Sequence, residues 1–289
     1  MRYRVRHSTA YAYRKPVDLA SHMLHLAPRV MPHQVVASTT LRSIPRPVRS
    51  TEAMDHFGNA VTWLFLDMPH AAFEVTMEAV VDVAFPRPPE ADETPPWEAV
   101  VAAARVGGPA WQASEFVFDS PMVLLEPAAG AYAARSFPAG RPVLSGLKDL
   151  TARIRREFAF RSGVTTISTP VSKVMQLRAG VCQDFTHVMI SGLRCLGLPA
   201  RYVSGYIRTK PPPGQVRRRG ADQSHAWVGA WLGPDLGWVD LDPTNDLVVR
   251  DEHVVLAWGR DYGDISPVRG VILGGGHHTV TAAVDLEAG

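Results

Sequence analysis

The spacing of apolar residues changes once along this chain, and the change divides it. Residues 3–13 alternate between outward and inward types, and residues 73–85 (FEVTMEAVVDVAF) do so again. From residue 144 onward the period lengthens. In LSGLKDLTARIRREFAF, Leu147, Leu150, Ile154 and Phe158 fall on one helical stripe. A segment with a period of two buries a face as a strand, and one with a period near 3.6 buries it as a helix. The chain therefore starts as a β domain and continues as something mixed.

The rest of the pattern fits that division. Residues 35–44 are rich in β-branched side chains, 54–59 (MDHFGN) form a turn, and 60–66 form the strand after it. Several short strands with turn signals suggest a sandwich-like or barrel-like N-terminal domain. Residues 86–96 (PRPPEADETPP) break the alternation and read as a linker. Helices are expected over 97–106, ended by Gly107-Gly108-Pro109, and over 128–134. A helix beginning near Leu144 is capped by Ser145. A second covers 171–177, ended by Ala179-Gly180. A third covers 182–196, closed by Gly197 and Pro199. Strands follow at 200–208, 224–232, 237–241, 254–260 and 278–286. Helices first and antiparallel strands after them make an α+β fold. The expected division is an N-terminal β domain over 1–86, a linker and helical connection over 87–143, and a core with C-terminal strands over 144–289.

Composition bounds the partners. Apolar residues are 46% of the 289, enough for a real core, and the net charge is +2. That balance gives no reason to expect nucleic acid or an anionic membrane. The first residues show no signal peptide, and no apolar run is long enough to span a bilayer. The two cysteines, Cys182 and Cys195, share one expected helix about 20 Å apart, so within it they do not bond each other. Free thiols in a reducing cytoplasm are the expectation.

Cys182 stands at a helix start, where exposed N–H groups favour an anion, and a lone cysteine there can pack, bind a metal or attack. Cys195 lies in the last turn among Leu193, Leu196 and Leu198 and reads as core filling. A nucleophilic thiol needs a base. His225 sits on a strand with Trp227, Gly229 and Trp231 on its face and Ala226, Val228 and Ala230 on the other. The base needs an orienting group. Asp240 and Asp242 share a face of the next strand, and the pattern alone leaves both open. Asp242, ahead of Pro243, ends its strand extended.

These residues carry a family resemblance. Gly180-Val181-Cys182-Gln183-Asp184-Phe185-Thr186-His187 resembles the nucleophile motif of bacterial transglutaminase-like proteins. Ser224-His225-Ala226-Trp227-Val228 resembles their histidine motif, and Asp242-Pro243-Thr244-Asn245 their acidic motif. Asp55-His56-Phe57-Gly58-Asn59 resembles a turn of their N-terminal domain, and the segments at 259–262 and 266–270 resemble the stretch C-terminal to their core. The resemblance implies a papain-like core with helices packed on an antiparallel sheet, joined to a β-sandwich-like N-terminal domain. It implies catalysis by Cys182, His225 and Asp242 on a peptide or protein amide through a thioester, with no cofactor. Water as acceptor makes a protease or amidase, and an amine makes a cross-linker or ligase; hydrolysis is placed ahead of transfer. A scaffold that kept the triad is the competing class, and a metallohydrolase comes third. Substrate selection and self-association as a homo-oligomer are the roles open to the N-terminal domain.

Other signals are weaker. His22 with His25, and His277-His278, lack a cysteine or carboxylate at ligand spacing, so no metal is expected. Gly274-Gly275-Gly276 lacks the strand–loop–helix setting of a nucleotide site. His187 reads as a structural hydrogen-bonder and Asp184 as a helix cap. Arg217-Arg218-Arg219 reads as a solvated loop face, placed where it could rim the cleft. Asp240 is expected to pair with an arginine or to tune substrate charge.

Overall fold

The computed structural model describes residues 1–105, 111–208 and 223–289. The expected helix stop at Gly107-Gly108-Pro109 and the arginine run at Arg217 lie outside the described residues.

Strand β1 (Arg2–Leu24) is the spine of a seven-stranded antiparallel sheet. Its first half pairs with β5 (His70–Val83) on one side and β14 (His278–Ala288) on the other. Its second half pairs with β4 (Ala60–Leu66) and β13 (Val268–Gly274). Strands β2 (Gln34–Ile44) and β3 (Arg49–Met54) extend the sheet beyond β5 and β4. Alternation sets the faces: Tyr3, Val5, His7 and Thr9 are buried, while Arg2, Arg4 and Arg6 are exposed.

This topology corrects the expected division. The last strands do not stay with the core but return to β1. A long alternating strand paired on one edge only would leave a row of free backbone groups. β14 fills that edge, with Leu286 opposite Val5 and Val284 opposite His7, both buried.

The second sheet is antiparallel, in the order β11 (Leu247–Val248), β10 (Trp238–Asp242), β9 (Gln223–Trp231), β8 (Ala200–Ile207), β12 (His253–Gly259). Helix α6 (Cys182–Cys195) packs on β8 and β9. Around α6 lie α3 (Pro127–Ala134), α4 (Val143–Glu157) and α5 (Val171–Leu177); α1 (Trp97–Arg105) and the single turn α2 (Trp111–Ser114) precede them. α3 and α6 approach closely because each offers a glycine. A Cβ on Gly192 would lie 2.9 Å from the Ala129 carbonyl oxygen, and one on Gly130 2.7 Å from Cys195 Cβ. The helices and this sheet make a papain-like α+β core beside the N-terminal sheet domain.

Three local readings change. Helix α4 starts at Val143, and Ser145, inside its first turn, donates from Oγ to Asp92 Oδ1 (2.6 Å) rather than capping. Helix α5 ends at Arg178, in the left-handed region at φ 50°. Ala179–Gly180 is instead a short strand, β7, parallel to β6 (Ala159–Phe160), and it delivers the chain to the start of α6.

The N-terminal sheet docks on the core through buried Asn59. Its Nδ2 donates to Asp55 Oδ2 (2.7 Å) and the Trp258 carbonyl (2.8 Å). Its Oδ1 accepts from Trp258 N (2.9 Å) and Arg29 Nη1 (2.6 Å). Among the described residues no helix is long and apolar enough to cross a membrane.

Candidate active site

Cys182 is the first residue of α6 and Asp184 fixes that start. Asp184 Oδ2 accepts from Val181 N and from Thr165 Oγ1, each at 2.7 Å. Burial pushes its carboxyl up. The side chain is committed to shaping the helix entry. Gly180 makes room for it, since a Cβ there would lie 2.5 Å from Asp184 Oδ2. Gln183 Nε2 donates to the Ile167 carbonyl (3.0 Å), so the residue after the cysteine ties down a loop.

His225, on β9, is buried, and its Nε2 hydrogen-bonds Asp242 Oδ2 at 2.7 Å. The Cys182 side chain lies beside the same imidazole and contributes to raising it. With Nε2 on the carboxylate, Nδ1 is the nitrogen left to sulfur. Burial works against charge on this ring. Asp242 first, with Cys182 beside it, outweighs burial and raises the imidazole to about 10.

Asp242 is fully buried at the end of β10. Its Oδ1 accepts from Thr244 N (2.9 Å) and Asn245 N (3.2 Å), which builds the turn. Its Oδ2 accepts from His225, from Asn245 Nδ2 (2.7 Å) and from His253 Nε2 (3.4 Å). Burial opposes its charge, but His225 and His253 hold the carboxyl well below the usual carboxylate range.

Of the two carboxylates left open by pattern, Asp242 meets His225. Asp240 Oδ2 instead accepts from Trp227 Nε1 (2.9 Å), and its Oδ1 lies 3.9 Å from Arg201 Nη2. Arg201 stacks on Trp238 and Trp258, and Gly229 leaves space for it. Asp240 thus serves the sheet, as the arginine-pairing expectation has it. His187 is buried, accepts from Tyr262 N (3.3 Å) and faces Tyr202. Cys195 is half-buried, with Sγ 3.5 Å from the Glu126 carbonyl, and burial pushes its thiol up.

His253 was not singled out by sequence. It heads β12, eleven positions after Asp242, in the otherwise apolar run HVVLAWG, with no motif spacing to mark it. A polar residue in a strand buried on both faces is the one signal it gave. Together His225, Asp242 and His253 place three donor atoms within 4.8 Å of one another. Asn245 Nδ2 already occupies Asp242 Oδ2 and lies 3.4 Å from His225 Nε2. An N–H donor in that space favours a hydrogen-bond network over a cation. A cavity of about 650 Å³ between α4 and the β10–β11 turn is lined by Leu241 and Asp246 but by neither Cys182 nor His225, so it lies off the chemistry.

Comparison with known proteins agrees with this architecture. The model of the transglutaminase-like superfamily matches residues 131–243, and that of the bacterial transglutaminase-like N-terminal region matches residues 3–82. An uncharacterized protein of Mycobacterium tuberculosis is 40% identical over 277 residues, 94% of this chain and 87% of that protein. One from Mycobacterium leprae is 30% identical, covering 99% of this chain and 98% of its own. The crystal structure of a candidate cysteine protease from Cytophaga hutchinsonii superposes with a TM-score of 0.77 at 23% identity, covering 99% of this chain and 90% of that one. A 68-residue segment, 23% of this chain and 10% of the relative, is 38% identical to a protein-glutamine gamma-glutamyltransferase of Pseudomonas aeruginosa.

Proposed function

The chain belongs to the transglutaminase-like superfamily of cysteine enzymes, and from that premise we propose that it hydrolyses amide bonds of peptides or proteins with Cys182 as nucleophile. The observation that carries this reading is the buried His225–Asp242 contact at 2.7 Å on an imidazole raised by both Asp242 and the neighbouring Cys182. The Cys182 thiol passes its proton to His225 as its sulfur attacks the carbonyl carbon, and the oxyanion draws on N–H groups of the first turn of α6. His225 gives its proton to the departing amine, leaving a thioester. The neutral imidazole then takes a proton from water, whose oxygen attacks the thioester; the C–S bond breaks, the acid leaves, and the proton returns from His225 to the Cys182 sulfur. Asp242 orients the ring throughout. The cytoplasm suits two free thiols.

The second reading is transfer of the acyl group to an amine, favoured by the segment shared with the glutamyltransferase. One experiment addresses both. The protein is given an activated acyl-glutamine ester with and without excess primary amine, and products are identified by mass spectrometry. The acid alone supports hydrolysis, and the amide supports transfer. Turnover that survives in Cys182→Ala, or no acylation of Cys182 at all, sinks both readings and favours a scaffold.

A further inference from the structure

Asp242 binds two imidazoles, and the reaction above uses one. We propose that His253 is a positioning residue for Cys182 chemistry: it grips Asp242 Oδ2, the same oxygen that holds His225, and so keeps the working imidazole in register with the thiol. This rests on the catalytic reading of Cys182 and His225.

Three observations carry it. First, His253 Nε2 lies 3.4 Å from Asp242 Oδ2 with both side chains shut away from water. Donating to a carboxylate requires the proton on Nε2. Second, His253 Nδ1 is then a bare acceptor, and among the described residues it is buried without a partner. A residue present only to fill space would avoid that orphan, as its neighbours Val254, Val255 and Leu256 do. The polar edge of the ring is therefore there for Asp242. Third, the ring cannot drift. β12 pairs His253 with Ile207 on β8, and the imidazole stands edge-on to Trp227 at 5.1 Å between centroids. Trp227 is itself pinned through Nε1 to Asp240.

The catalytic cycle gives such a grip its use. While His225 is an imidazolium, its charge-assisted bond to Asp242 is strong. Once it passes the proton to the leaving amine, that assistance is gone. Asn245 Nδ2 and His253 Nε2 then remain on Oδ2 to hold the carboxylate where the ring must return.

The test compares wild type with His253→Leu and His253→Gln, the second keeping an N–H donor near the Nε2 position. The readouts are iodoacetamide alkylation of Cys182 by peptide mass spectrometry, with Cys195 as internal control, and the ¹H resonance of the His225 Nε2 proton. We expect His253→Leu to slow Cys182 about tenfold, the scale of one hydrogen bond to a charged group, and Gln to restore most of the rate. The proton resonance should move in Leu and return in Gln, while Cys195 stays unchanged. A folded His253→Leu with wild-type rate and resonance overturns the proposal. So does a loss that Gln fails to rescue, because the ring would then matter only as packing. If His253→Leu does not fold, Gln decides: near-wild-type values support the grip, and a loss as large as that of His225→Ala overturns it. If wild-type Cys182 reacts no faster than Cys195, the catalytic reading fails, and the resonance still reports whether His253 holds Asp242.

Discussion

A histidine whose burial outweighs any nearby carboxylate reports on pH whether or not it does chemistry. Burial lowers His7, His22 and His187 from 6.5 to about 4 each. His7 is locked between Tyr206 Oη and Thr9 Oγ1, and His187 must stay unprotonated at Nε2 to accept from Tyr262. Their folded values lie below the unfolded one, so the unfolded chain binds more protons between about 6.5 and 4. Stability is complete above pH 6.5 and is lost as pH falls through 4. Urea unfolding across that range should show an uptake of about three protons, reduced by about one in His187→Gln. His225 has the opposite sign. Its folded value, about 10, lies above 6.5, so its contribution is full below pH 6.5 and fades as pH rises through 10. The melting-temperature gap between wild type and His225→Gln should close from pH 7 to 10.5; a constant gap would mean the imidazolium adds nothing. The residues of the site were legible where local chemistry marks them. Cys182 opens a helix; between Asp240 and Asp242 the pattern left both open, and the family resemblance pointed to Asp242. His253 was not, because only the pairing of β12 with β8 brings it beside a carboxylate eleven positions earlier.

At the level of elements, alternation was readable where one face is buried and the other wet. β1 and β5 show it, and both were expected. β13 was missed because five of its seven residues are exposed and only Val268 and Ile272 pack inward, and β3 because all of its residues are exposed. The core strands have a different constraint. β8 lies between β9 and β12, and a Cβ on Gly205, opposite His225, would sit 2.1 Å from the Val254 carbonyl oxygen and 2.4 Å from Trp227 Cη2. Gly205→Ala must push apart β12 and the Trp227 ring, at a cost of about 1–3 kcal/mol. It should also slow Cys182 alkylation, because Trp227 and His253 frame the site. A stable Gly205→Ala with unaltered Cys182 reactivity would show that this framing is slack.

Across the whole molecule, the two sheets communicate through a few polar points. Asn59 satisfies all its hydrogen-bonding capacity at one of them, bridging the Asp55 turn, Arg29 and both backbone groups of Trp258. Asn59→Ala leaves the N–H and C=O of half-buried Trp258 without their Asn59 partner and should destabilise the protein by about 2–3 kcal/mol. Limited proteolysis should then cut within residues 84–96 faster than in wild type; equal rates would mean the sheets are held by their apolar contact alone. That a β portion gives way to a mixed one was evident from the change of period. That the last strands return to the first was not, because β pairing between opposite ends of the chain leaves no local mark. This return also sets a timetable. On the ribosome β1 emerges more than 240 residues before its partners β13 and β14, so while the segment between them is made one edge of the spine stands unpaired. A nascent copy that stalls before residue 268 never closes that edge, and neighbouring copies on the same message would then find each other's β1 before their own tails.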